Sequence, residues 1–152
     1  MRSNICTFFR HSMVPKEIEP TLRSTLIDLI ENKDVKMFYV GNHGQFDGMV
    51  HRTLCELSSL YPISYNVVLA YMPQKRDNSD MTYYSDTILP DGVETVPKRF
   101  AISYRNKWMI QKSDYVVTYV THDLGSGAAQ FKKIAEKKRK KVIELSKQST
   151  MN

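Results

Sequence analysis

Short apolar runs rich in β-branched and aromatic residues alternate along this chain with longer segments whose apolar positions recur every three or four residues. That alternation constrains the fold more than any other feature. Ile5-Cys-Thr-Phe-Phe9, Val35 to Val40, Tyr65 to Tyr71, Tyr115 to Thr121 and Val142-Ile-Glu-Leu145 read as strands. Ile18, Leu22, Leu26, Leu29 and Ile30 mark one face of a helix from about Lys16 to Glu31, and Pro20 moves its true start later, to a first turn. Phe46, Met49, Val50, Leu54, Leu57 and Leu60 mark a second helix that runs until Pro62. Lys98 to Lys112 is a third, through Ala101, Tyr104, Arg105 and Trp108, and a fourth follows Gly127 to about Arg139. A strand that is apolar at nearly every position, as 65–71 is, belongs in a sheet covered on both faces, the condition of parallel strands. Five strands alternating with four helices make βαβ units. The expected fold class is therefore α/β, a Rossmann-like three-layer sandwich with a five-stranded, mainly parallel sheet.

At 152 residues the chain predicts a single domain, 1–152. Its longest apolar runs are about four or five residues against the roughly 18 that cross a bilayer, so no membrane partner is expected. The N-terminus reaches Arg10 without an apolar stretch or cleavage site of the signal-peptide kind, which points to the cytoplasm. Cys6 and Cys55 are too few and too far apart for a zinc site or a Cys-x-x-Cys pair. They read as reduced core thiols, with no metal. Charge is distributed unevenly: residues 1–130 carry fourteen Lys and Arg against fourteen Asp and Glu, whereas 131–152 carry eight against two. The run Lys137-Lys138-Arg139-Lys140-Lys141 suits either a polyanion or a solvated helix end whose cations complement the helix dipole.

In an open parallel sheet the ligand lies beyond the carboxyl ends of the strands, where strand order reverses. If the first three strands extend one way and the last two the other, that point falls between the first and fourth strands. The residues that follow them are Arg10-His11-Ser12 and Thr121-His122-Asp123-Leu124-Gly125-Ser126-Gly127. Gly125-Ser126-Gly127 leaves a strand and opens a helix, so its backbone N–H groups suit a phosphate. Gln130 stands where a dinucleotide fingerprint has its third glycine, and Glu144, nineteen positions past Gly125, is placed like a ribose-binding acid. A second turn, Gly41-Asn42-His43-Gly44, leads to Asp47, which suits either the cleft or the N-terminal N–H groups of its helix. Arg105 and Asn106 face either that cleft or, for Arg105, a surface carboxylate. Residues 73–97 show no sustained period and form a candidate lid, with Tyr83, Tyr84, Ser85, Asp86 and Thr87 able to stack on a base and bond a ribose.

Cys6-Thr-Phe-Phe9-x-His11, Phe38-Tyr-Val-Gly41-Asn-His-Gly44-x-Phe46-Asp47, Tyr84-Ser-Asp86, Arg99-Phe-Ala-Ile102, Arg105-Asn-Lys-Trp-Met109, Asp114-Tyr-Val-Val-Thr-Tyr-Val120 and Ala128-Ala-Gln-Phe131 together resemble the SLOG superfamily. The likeness covers nearly the whole chain and extends to the small bacterial and phage-encoded members of that superfamily. It joins the DNA-processing protein DprA, the lonely-guy phosphoribohydrolases and ligand-sensing domains of bacterial immune effectors. The resemblance implies a Rossmann-like fold binding nucleotides or nucleotide-derived signals, with Gly125, Ser126 and Gly127 as phosphate loop and Asn42, His43 and Asp47 in the cleft. Lonely-guy enzymes carry a catalytic glutamate where this chain has Gln130, and an amide can neither ionise nor act as a base. Relatives commonly read Phe-Phe-Gly-His-Arg where this chain has Phe8-Phe9-Arg10-His11-Ser12, so Arg10 either fills the space over the ligand or reaches an anion.

The leading expectation is a non-catalytic binder of a phosphorylated nucleotide or nucleotide-derived signalling molecule, a sensor or a sequestering protein of phage defence or anti-defence. It needs no cofactor beyond that ligand and forms a homo-oligomer. Its ligand residues are Arg10, His11, Asn42, His43, Asp47, Tyr84, Arg105, Asn106, Thr121, His122, Gly125, Ser126, Gly127 and Gln130. The alternatives are an N-glycosidase of nucleoside phosphates, with Asp47 or Asp123 replacing the glutamate, and a nucleic-acid-binding module that uses the basic C-terminal helix.

Overall fold

The structure, a computed structural model, describes residues 4–10, 14–42, 44–70, 87–120 and 127–148, with the side chains of 127–129 and 147–148 outside the description. Six strands are β1 (Asn4–Arg10), β2 (Val35–Val40), β3 (Ser64–Val68), β4 (Thr87–Ile88), β5 (Tyr115–Tyr119) and β6 (Lys141–Glu144). The helices are α1 (Glu19–Asn32), α2 (Gly44–Ser58), α3 (Lys98–Lys112), α4 (Gly127–Lys137) and the short α5 (Leu145–Gln148). The strands form one sheet in the order β4-β3-β2-β1-β5-β6, and every pairing is parallel. The α/β, Rossmann-like class is as expected. Among the described residues, however, the sheet has six strands rather than five and is parallel throughout.

Alternation along the strands builds the three layers. Neighbouring residues point to opposite faces, so Phe8 and Val117 join the core with α1, α2 and α5, while Phe9 and Val116 join the core with α3 and α4. Because helices cover both faces over β1, Cys6 to Phe9 are all buried. On one face Leu22, Leu26 and Leu29 of α1 meet Leu54 and Leu57 of α2 in a common core. Each such leucine contributes roughly 1.5–3 kcal/mol relative to leaving it in water.

Several boundaries differ from the sequence reading, each for a physical reason. A 3-10 turn, Lys16–Ile18, precedes α1, and Pro20 falls in the first turn of α1, where its missing N–H costs no hydrogen bond. Helix α2 ends at Ser58, so Leu60 lies beyond the helical stripe in the turn before β3 and is 66% exposed. Cys6 is buried, and burial pushes its thiol well above the ordinary range, but Cys55 is exposed and is no core thiol. The buried stripe of α2 runs through Phe46, Met49, Val50, Thr53, Leu54 and Leu57, one residue away. Strand β3 stops at Val68 and is only half-buried over most of its length, since its outer neighbour β4 pairs with Val67 and Val68 alone.

The candidate lid divides: 73–86 lies outside the described residues, and 87–97 contains a short strand and a 3-10 turn. Thr87–Ile88 extends the sheet, and Leu69 N donates to the Ile88 carbonyl at 2.8 Å. Gly92 turns with φ +83° into a 3-10 helix, Val93–Thr95, and the Tyr104 hydroxyl donates to the Asp91 carbonyl at 2.6 Å. Val93 packs with Ala70 and Ala101. Helix α4 ends at Lys137 rather than near Arg139, and the last strand is Lys141–Glu144 rather than 142–145. Among the described residues no helix is long and apolar enough to cross a membrane.

Candidate functional site

Strand order reverses between β1 and β5. Beside that point, at the carboxyl ends of β1 and β2, the described residues enclose a cleft of about 200 Å³. Phe8, Phe9 and Arg10 come from β1, Gly41 from the end of β2, Asp47 from the first turn of α2, and Ile102, Arg105, Asn106 and Met109 from α3. The lining carries two guanidinium groups and one carboxylate, at the positive end of the α2 dipole.

Arg105 organises this cleft. It is only 4% exposed and lines the cleft. Its Nη1 donates to the Val68 carbonyl and to Asn42 Oδ1, both at 3.3 Å, and its Nε donates to Asn106 Oδ1 at 3.1 Å. Helix α3 is thereby tied to the ends of β2 and β3 through a charged group, an arrangement stable only when the donors find acceptors.

The glycines of Gly41-Asn42-His43-Gly44 make room for the two arginines. A Cβ on Gly41 would lie 2.7 Å from Asp47 Oδ2 and 2.9 Å from Arg105 Nη1, closer than packed atoms approach. Gly44 opens α2 at φ +89°, a conformation that favours glycine, and the Arg10 guanidinium packs where its side chain would be. Asp47 therefore lines the cleft against Gly41, beside Arg105.

Glu144 has internal partners. One or both of its oxygens accept the Thr118 hydroxyl at 2.7 Å, the Val120 N–H at 2.9 and 3.2 Å, the Ser146 N–H at 3.1 Å and hydroxyl at 2.7 Å, and Lys132 Nζ at 3.2 Å. Burial pushes this carboxyl up, yet the bonds from Ser146, Thr118 and the Val120 N–H outweigh it and hold the group below the usual carboxylate range. The acid placed like a ribose ligand by its spacing instead ties β5, β6, α4 and α5 together.

Of the residues singled out from the sequence, Arg10, Asp47, Arg105 and Asn106 come together in the cleft, and Asn42 joins them through Arg105. Gly127 begins α4. Gln130 is exposed on α4 and is not part of the cleft lining. One turn after Gly127, Phe131 stacks on Phe9 at 5.5 Å, which sets the start of α4 beside the cleft wall. His11, His43, Tyr84, Thr121, His122, Gly125 and Ser126 lie outside the described residues. Sequence reasoning missed Phe8, Phe9, Ile102 and Met109 as lining. The spacing of Ile102, Asn106 and Met109 on one helical face was the available signal. No protein-family model matches this chain and no curated protein matches it.

Proposed function

We propose that the chain binds a phosphorylated nucleotide or nucleotide-derived signalling molecule in the β1–β2–α3 cleft, as a sensor or sequestering protein of the SLOG kind. The observation that supports this best is the pair of guanidinium groups, one of them buried, at the carboxyl edge of an all-parallel sheet. A planar guanidinium held in a weakly solvated cleft recognises phosphate oxygens by charge-assisted hydrogen bonds. Phe8 and Phe9 supply an apolar wall, and the enclosed volume suits a phosphate with part of its sugar rather than a whole dinucleotide. Asp47 beside Arg105 favours one second reading, an N-glycosidase in which this carboxylate stabilises a ribosyl cation.

Prolonged incubation with a panel of nucleoside phosphates, followed by mass spectrometry, separates the two. Ligand returned unchanged agrees with binding alone. Free base released over many turnovers, and lost in Asp47→Asn, overturns it in favour of hydrolysis.

A further inference from the structure

The pole of the sheet opposite the cleft carries a second surface of very different chemistry. Helices α3 and α4 lie on the same face, and both end there, at Lys112 and Lys137. Between Lys137 and the start of β6 the chain turns through Lys138, Arg139 and Lys140 into Lys141. The basic run is thus a helix end and a tight turn, not a helix. Lys140 Nζ donates to the Gln111 carbonyl at 3.4 Å, which brings this turn against the end of α3 and its exposed Lys112. Lys137, Lys138 and Arg139 are exposed and form no ion pair among the described residues.

Two helix C-termini carry only about one negative charge between them. Six cations stand there: Lys112, Lys137, Lys138, Arg139, Lys140 and Lys141. Dipole complementation therefore accounts for a small part of the cluster. The backbone adds an independent sign. Arg139 N donates to the Glu136 carbonyl at 3.0 Å and Lys140 N to the Ala135 carbonyl at 2.9 Å, the paired bonds of a helix stop whose left-handed position is ordinarily glycine. Here that position is Arg139, at φ +62°. A charged side chain is held where the fold alone favours none.

We infer that this pole binds the phosphodiester backbone of a nucleic acid. Phosphate contacts need chiefly cations, and six stand here against one exposed carboxylate, Glu136, with Lys112 over the Trp108 ring and Lys141 over the Tyr115 ring. The large apolar residues exposed among the described residues, Leu60, Phe100 and Ile102, fall outside the cluster. It therefore lacks the anchor that a membrane surface takes up and the apolar centre of a protein interface. The surface is remote from the cleft, so this inference stands or falls separately from the nucleotide reading.

The test is fluorescence anisotropy of the full chain with labelled single-stranded DNA, single-stranded RNA and duplex DNA of about 20 nucleotides, one site being spanned by the cluster. With four of the six cations engaged, affinity for duplex falls roughly a hundredfold between about 50 and 200 mM salt. Arg139→Gly raises the melting temperature by relieving the left-handed turn and yet lowers the salt slope by about 0.9. The triple variant Lys137→Gln, Lys138→Gln, Arg139→Gly lowers it by about 2.7 and weakens binding at low salt at least about tenfold. The DNA and RNA arms tell which nucleic acid is held. Absence of salt-dependent binding to all three, an unchanged slope in both variants, or equal competition by polyglutamate or anionic vesicles overturns the inference.

Discussion

Adding a single methyl group at Gly41 tests how the cleft is built. In Gly41→Ala the new Cβ falls 2.7 Å from Asp47 Oδ2 and 2.9 Å from Arg105 Nη1, with Arg105 Cζ at 3.1 Å. One of the two side chains must move by several tenths of an ångström. Arg105 is pinned by bonds to Val68, Asn42 and Asn106 that are already 3.1–3.3 Å long, so a shift of that size breaks at least one of them. Overpacking in a rigid interior costs about 1–3 kcal/mol, and a charge-assisted bond lost from a buried group adds a similar amount. The expected destabilisation is about 2–4 kcal/mol, read as a fall in urea midpoint of about 1–2 M at an unchanged slope. Nucleotide affinity should fall with it, because the displaced guanidinium is the proposed anion contact. Loss of less than about 0.5 kcal/mol with unchanged affinity would refute the seating of Arg105 against Gly41.

The other outcomes concern stability and charge. Glu144 has its folded-state pKa depressed, so the stability it contributes is fully present above the ordinary carboxyl value near 4.3 and is lost as pH falls through the depressed one. Unfolding free energies of wild type and Glu144→Gln should accordingly differ at neutral pH and converge in acid, and a constant gap down to the acid limit would contradict this. Leu57→Ala should cost about 2–5 kcal/mol in denaturant melts while Leu60→Ala stays within about 0.5, since Leu57 is fully buried and Leu60 is 66% exposed. Gly44→Ala combines a left-handed backbone with the Arg10 guanidinium against its Cβ, and should weaken nucleotide binding in calorimetry as well as stability.

Much of this architecture is legible in the residues because it follows from local rules. The apolar run at Cys6 to Phe9 signals burial on two faces, and these residues lie in cores on both sides of the sheet. The Leu22, Leu26, Leu29 spacing gives α1, and Arg105 and Asn106 stand out as polar groups amid Ile102, Tyr104, Trp108 and Met109. What escapes is whatever depends on contacts across the chain. Two residues cannot announce a strand, so β4 reads as loop although its pairing with Val67 and Val68 fixes it. Leu60 continues the helical period, but Ser58 has already ended the helix. Gly41 looks like an ordinary turn glycine, and the reason for it is a guanidinium arriving from a residue 64 positions later. Glu144 has the spacing of a ribose ligand, yet its bonds to Thr118, Val120 and Lys132 arise only from the β5–β6 pairing and the packing of α4.

Isothermal titration of the chain with nucleoside 5′-monophosphates, cyclic monophosphates and the matching nucleosides tests the central claim directly. The cleft account predicts that a phosphorylated member binds and its nucleoside does not, because the phosphate is the part that charge-assisted bonds from guanidinium groups recognise. Arg10→Ala should weaken that binding about 10–150-fold, the worth of a charge-assisted bond of roughly 1.5–3 kcal/mol, and Arg105→Gln should weaken it at least as much in protein shown by circular dichroism to be folded. A nucleoside that binds as tightly as its phosphate, wild-type affinity in both arginine variants, or no binding across the whole panel would contradict the account.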